Sequence, residues 1–179
     1  MADLDLTLII IGKICSGKST LAKDFSKWLH FPIASFGSYL TDYSKKNNLQ
    51  TDRESLQDLG HKFISENHSL FLHNVIKNTT DMPKNLIFEG VRHKVILDEI
   101  KNTSRMSFSI FLDAKEEVRL QRFIKREKDM DKNNAEDDFY SRSNHKVELE
   151  VDSLKEYCNF IITTNDSYQD FLKALSLYR

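Results

Sequence analysis

Near the start of the chain stands Gly12-Lys13-Ile14-Cys15-Ser16-Gly17-Lys18-Ser19, followed by Thr20. The spacing is G-x-x-x-x-G-K-[ST], and each fixed residue has a chemical reason. Glycines let the backbone approach a polyphosphate and turn successive N–H groups toward it. The lysine brings an ammonium to the outer phosphates, and the serine hydroxyl is a hard oxygen donor suited to Mg²⁺. The stretch therefore predicts an ATP site built from Gly12, Lys13, Cys15, Ser16, Gly17, Lys18, Ser19 and Thr20, with Mg²⁺ at Ser19. Cys15 reads as a small loop residue rather than a nucleophile. Lys13, Lys18 and the helix N-terminus that follows are expected to lower its pKa.

Further candidates lie downstream. Arg119, Arg122 and Arg126 fall at i, i+3 and i+7, one helical face. Planar guanidinium donors match phosphate oxygens, which puts Arg126 near a transferring phosphoryl group; the alternative is a solvated face paired with Glu116, Glu117 or Glu127. Arg142 either joins the phosphates or pairs with Asp138 at i, i+4. Arg92 either binds an acceptor phosphate or makes a structural salt bridge, and Glu89 either serves Mg²⁺ or pairs with Lys18 or Arg92. Asn165 either meets the adenine base or caps a helix. Phe36, Tyr39 and Tyr43 offer rings for stacking a base, core packing being the alternative. The six histidines show no metal-ligand spacing.

Elements must position these groups. Leu6, Leu8, Ile9, Ile10 and Ile11 form an apolar run of strand length, which predicts a buried parallel strand feeding the glycine loop. Leu21, Phe25, Trp28 and Leu29 predict the helix after it. Further strands are expected at Phe31–Phe36, with Pro32 at its start, then at Leu86–Phe88, Phe108–Leu112 and Phe160–Ile162. Helices are expected over Gly37–Asn47, after a capping box at Thr51–Glu54, around Leu70–Ile76, around Ile96–Ile100, after a second box at Asp113–Glu116, around Val147–Leu154 and after Ser167. Lys128 to Asp138 is almost wholly charged or amide and reads as a mobile surface segment, a lid over about 128–141. Strands alternating with helices predict a three-layer α/β/α fold on a five-stranded parallel sheet. Ligands then bind at the strands' carboxyl ends, where Gly12, Ser35, Glu89, Asp113 and Thr164 fall.

Composition narrows the field. A chain of 179 residues fits a single domain over 1–179. Lys+Arg 26 against Asp+Glu 27 gives a net charge of −1, so no global basic excess points to nucleic acid. The two cysteines, Cys15 and Cys158, suit a reducing, cytoplasmic setting. No run is long enough for a membrane span, and the acidic start Met1–Asp5 does not match a secretory leader.

Four places together resemble the nucleoside monophosphate kinase group of P-loop proteins: the glycine loop, Ser35-Phe36-Gly37-Ser38-Tyr39-Leu40, Glu89-Gly90-Val91-Arg92, and Leu112-Asp113-Ala114 with Arg119, Arg122, Arg126, the polar lid and Arg142. Asp52 to Gly60 is similar to a stretch in phage-type deoxynucleoside monophosphate kinases. The Glu-Gly-Val-Arg run and arginine stripe are also similar to dephospho-coenzyme A kinases. The resemblance implies ATP:Mg²⁺-dependent phosphoryl transfer to a nucleoside or deoxynucleoside monophosphate. It implies acceptor contacts from Ser35, Gly37, Tyr39 and Arg92, Mg²⁺ at Glu89 with Ser19, and Lys18, Arg92, Arg126 and Arg142 in catalysis. Thr41 stands where adenylate kinases carry an arginine, and Arg53 is the candidate replacement. Glu89 is one methylene longer than the family's Asp. Other readings are a kinase of another small acceptor such as dephospho-coenzyme A, a 5′-polynucleotide kinase, or a nucleotide-dependent switch. The last lacks Asn-Lys-x-Asp, the chain reading Thr164-Asn165-Asp166-Ser167 there.

Overall fold

The computed structural model describes residues 4–79, 83–127, 130–144 and 146–163. Asn165 and the helix expected after Ser167 lie outside the described residues. Five strands, β1 (Leu4–Gly12), β2 (Ile33–Ser35), β3 (Asn85–Glu89), β4 (Ser104–Asp113) and β5 (Phe160–Thr163), form one parallel sheet in the order β2-β3-β1-β4-β5. Among the described residues the helices are α1 (Lys18–Leu29), α2 (Phe36–Lys46), α3 (Arg53–Lys77), α4 (Lys94–Thr103), α5 (Glu116–Arg126), α6 (Lys132–Ser143) and α7 (Lys146–Ser153). None is long and apolar enough to cross a membrane.

The run at β1 is continuous in hydrophobicity because both faces are covered. Leu8 and Ile10 meet Leu21, Ala22 and Phe25 of α1. Ile9 and Ile11 point the other way, into a cluster with Leu40, Phe71, Leu72, Leu97 and Val151 from α2, α3, α4 and α7. The period of two along one strand thus makes three layers. Strand registers bring Ser35 beside Glu89, Glu89 beside Ile10, and Gly12 beside Leu112, so the polar strand ends gather along one edge of the sheet.

Local chemistry corrects several expected boundaries. Pro32 stays outside β2, its carbonyl accepting from Ile87 N–H at 3.0 Å. The cap of α3 is Asp52 rather than Thr51, its Oδ1 accepting from Ser55 N–H at 3.0 Å. The two helices expected before β3 run together as α3, yet Asn67 breaks the path with φ −166° and ψ 91°. Its Oδ1 accepts from Leu70 N–H at 2.9 Å and so caps the second half. Asp113 does not cap α5. It is still in register with Thr163 and takes the Lys155 ammonium at 2.6 Å.

The charged run is the larger correction. From Lys132 it is helical, capped by Asp131, and Ala135 and Phe139 of α6 are fully buried beside Ile14 and Phe123. A window ending at Asp138 misses Phe139, the residue that completes an i, i+4 apolar stripe. Phe139→Ala should therefore cost about 3–5 kcal/mol of unfolding free energy, checked by urea denaturation against the parent protein.

Candidate active site

The glycine loop joins β1 to α1 through backbone that few residues tolerate. Gly12 has φ +152°, and a Cβ there would meet Ser16 Oγ at 2.6 Å and the Leu112 carbonyl at 2.7 Å. Cys15 at φ +58° and Gly17 at φ +102° are left-handed. Gly17 precedes α1 without a side-chain cap, which leaves the first-turn N–H groups and the positive helix end to an anion.

The loop's carbonyls are taken up by cationic side chains. Arg122 Nη1 donates to the carbonyls of Cys15 at 3.4 Å and Ser16 at 3.2 Å. Arg119, only 4% exposed, donates to the Ile14 carbonyl at 3.5 Å and lies over the Phe139 ring. The basic stripe is thus divided. Arg119 and Arg122 brace the loop, Arg122 also lining the cleft along it, while Arg126 lines that cleft with its side chain 52% exposed beside Glu127. Arg142 makes the pairing left open by the sequence, gripping Asp138 through Nε at 2.7 Å and Nη2 at 2.6 Å.

Lys18 opens α1 and folds its ammonium back onto the Lys13 carbonyl at 2.6 Å. Burial and then the nearby Arg92 push its pKa down to about 8, against the pull of Glu148 and Glu89. The Lys13 side chain turns away to Asp152 at 3.0 Å, so only its backbone belongs to the loop. Cys15 contradicts the expected acidic thiol. Burial raises its pKa despite Arg126, Lys18, Arg53 and Arg119. Ser19 Oγ donates to Glu89 Oε1 at 2.6 Å. A hydroxyl and a carboxylate this close are hard oxygen donors that fit Mg²⁺. Among the described residues no three His, Cys, Asp or Glu side chains converge, so an ion here would take its remaining oxygens from phosphate and water.

Two clefts meet at this point. One, of about 570 Å³, runs along the loop past Ser16, Thr20, Arg122 and Arg126. The other, of about 460 Å³, lies between α2, α3 and the turn after β3, with Ser35, Phe36, Gly37, Thr41 and Gln57 on its walls. Lys18, Arg53, Glu89 and Arg92 line both. Tyr39 does not line the second cleft. Its place on α2 turns it toward α3, into a ring cluster with Tyr43, Phe63 and Phe71 at 5.8–6.4 Å. Thr41 does line it, but its hydroxyl is bonded to the Gly37 carbonyl at 2.9 Å, and the guanidinium groups on its walls are those of Arg53 and Arg92.

Sequence reasoning missed Glu148. This carboxylate is 1% exposed, and its Oε1 binds Arg53 Nη2 at 2.8 Å and also Arg92 Nη1. Its Oε2 accepts from Ile14 N–H at 2.9 Å. Burial alone would raise its pKa; Arg92, Lys18 and the two hydrogen bonds outweigh burial and hold it below the usual carboxylate range. The available signal was an acid three residues before buried Val151, on the core-facing side of α7.

Sheet order, loop and helix N-terminus together define a P-loop α/β protein. The chain belongs to the family whose profile, described as an AAA domain, matches residues 8–142. No curated protein matches it. Among solved structures it is similar to TT1252 from Thermus thermophilus, with TM-score 0.61, 15% identity, and 98% of this chain and 96% of that one covered. It is also similar to a shikimate kinase from Aquifex aeolicus (TM-score 0.58, 16% identity, 96% and 94% covered) and a sugar kinase from Janibacter (TM-score 0.55, 11% identity, 96% and 92% covered). At these identities the likeness is one of fold.

The depressed Lys18 pKa gives a signed expectation. Phosphates favour the ammonium form, so nucleotide binding should take up a proton above pH about 8. The Kd for ATP should rise about tenfold from pH 7 to pH 9, measured by calorimetry in buffers of different ionisation enthalpy.

Proposed function

We propose that the protein is an ATP:Mg²⁺-dependent phosphotransferase whose acceptor is a nucleoside or deoxynucleoside monophosphate. The observation that carries this reading is the set of four residues common to both clefts, Lys18, Arg53, Glu89 and Arg92. Phosphoryl transfer asks a protein mainly to hold two anionic substrates in line and balance their charge. Three cations and one carboxylate at a junction of two clefts suit that task. On this reading the loop from Gly12 to Thr20 takes the ATP phosphates, with Lys18 reaching the outer ones. Ser19 and Glu89 hold Mg²⁺, which supplies charge neutralisation at those phosphates. Arg53 and Arg92 take the acceptor's phosphate, and Ser35 and Gly37 border its sugar. Arg126 approaches the transferring group as α5 and α6 move inward, and Arg142 joins only by exchanging its Asp138 partner.

The acceptor class rests on the second cleft's walls. Phe36, Leu40, Ile64, Phe71 and Ile96 present rings and aliphatic carbon, which suit a flat base better than a polyhydroxylated acceptor. Asn165, proposed for the adenine base, belongs to the same reading. A nucleotide-dependent switch would show the opposite kinetics, slow hydrolysis indifferent to acceptor.

Coupled ADP-release assays should show turnover stimulated by one or more nucleoside or deoxynucleoside monophosphates; acceptor-independent hydrolysis alone would refute the proposal. Lys18→Ala should abolish transfer while leaving circular dichroism unchanged. Arg126→Ala should lower kcat on the order of 10³-fold with little change in KM, as measured in the same assay.

A further inference from the structure

None of the described side chains of helix α7 lines either cleft, yet three of its acids reach the elements that form them. Asp152 binds Lys13 of the glycine loop at 3.0 Å, and Glu150 Oε2 lies 3.1 Å from His93 Nδ1 in the turn after β3. Glu148 does most. One oxygen takes Arg53 from the start of α3 and Arg92 from the turn after β3, and the other takes the Ile14 N–H of the loop. The carboxylate is nearly inaccessible and lines neither cleft, whereas both arginines line both clefts. It therefore stands behind the guanidinium groups and does not compete for the anion they face.

We infer that Glu148 is a positioning residue for phosphoryl transfer: from behind, its carboxylate fixes Arg53 and Arg92 relative to the glycine loop so that their free donors face the acceptor. The inference rests on the phosphotransfer reading above. Two long arginine side chains lose rotamer freedom when held, and two like charges close together repel. A buried carboxylate between them offsets both costs and leaves a net positive charge for the ligand. The Ile14 N–H bond ties that charge to the loop, so donor and acceptor sites share one reference point. The order of the chain adds to this, because α7 follows directly on α6, the helix that carries Arg142.

Glu148→Gln separates the two bonds. The amide oxygen still accepts from Ile14 N–H, while its NH₂ faces the guanidinium groups without charge. The expected result is a fall of about 10–100-fold in kcat/KM for the acceptor, with the Kd for ATP–Mg²⁺ within about threefold of the parent. Glu148→Asp keeps the charge on a shorter stem and should fall between the two. Unchanged acceptor kinetics would overturn the inference. So would equal losses for nucleotide and acceptor, which would make Glu148 a support of the fold alone. Should Glu148→Gln fail to fold, Glu148→Asp is judged by the same two criteria. Should the parent protein turn over no acceptor, the phosphotransfer reading fails separately. Phenylglyoxal modification of Arg53 and Arg92, read by mass spectrometry, then decides the positioning role. Faster modification in the variant supports it, and equal rates overturn it.

Discussion

Everything near the site follows from one constraint: a short loop that keeps its first-turn N–H groups open to an anion must find partners within the protein for its other polar groups. A buried backbone group without a partner costs about as much as a lost hydrogen bond. Here the partners are side chains. The Lys13 carbonyl takes the Lys18 ammonium, the Ile14, Cys15 and Ser16 carbonyls take Arg119 and Arg122, and the Ile14 N–H takes Glu148. Left-handed backbone at Cys15 and Gly17 and the crowded Gly12 set the curvature that makes those directions possible. Helices α5 and α7 supply most of those partners.

The second consequence is electrostatic. Lys18, Arg53 and Arg92 are gathered where burial and mutual repulsion both disfavour positive charge, and the low pKa of Lys18 records that cost. Glu148 and Glu89 relieve part of it. The remaining excess of positive charge is a standing attraction for a polyphosphate, which would restore the full ammonium on binding. Binding and protonation are therefore linked at this loop.

The region after α5 shows how composition and packing diverge. A stretch dominated by Asp, Asn and Lys nonetheless forms α6, because Ala135 and Phe139 are enough to seat one face on Phe123 and Ile14. That contact also places the ring of Phe123 beneath the Arg126 and Arg142 guanidinium groups, at 5.0 and 5.3 Å. Arg142 thus starts from a packed, partnered arrangement, while Arg126, stacked on the same ring and paired with Glu127, keeps about half of its side chain exposed.

The sequence by itself determined the glycine loop, the strand before it and the helix after it, because these depend on short-range rules of spacing, periodicity and glycine freedom. It determined the parallel sheet for a similar reason: apolar runs of strand length alternating with amphipathic helices admit few layered packings. It also placed Ser19 at the end of the glycine loop and Glu89 at a strand end, though their 2.6 Å contact needed the register of β1 and β3. Tertiary structure alone decided which of several equivalent arginines does what. Arg119, Arg122 and Arg126 share one face in sequence, but only the position of α5 against the loop buries Arg119 on the Ile14 carbonyl, sets Arg122 on loop carbonyls at the cleft wall and leaves Arg126 exposed in the cleft beside Glu127. The same holds for Tyr39, turned from the cleft by α3, and for Glu148, whose three partners come from segments 134, 95 and 56 residues away. Local patterns cannot carry such assignments, because the free energy of a buried charge depends on partners that only the folded chain brings into contact.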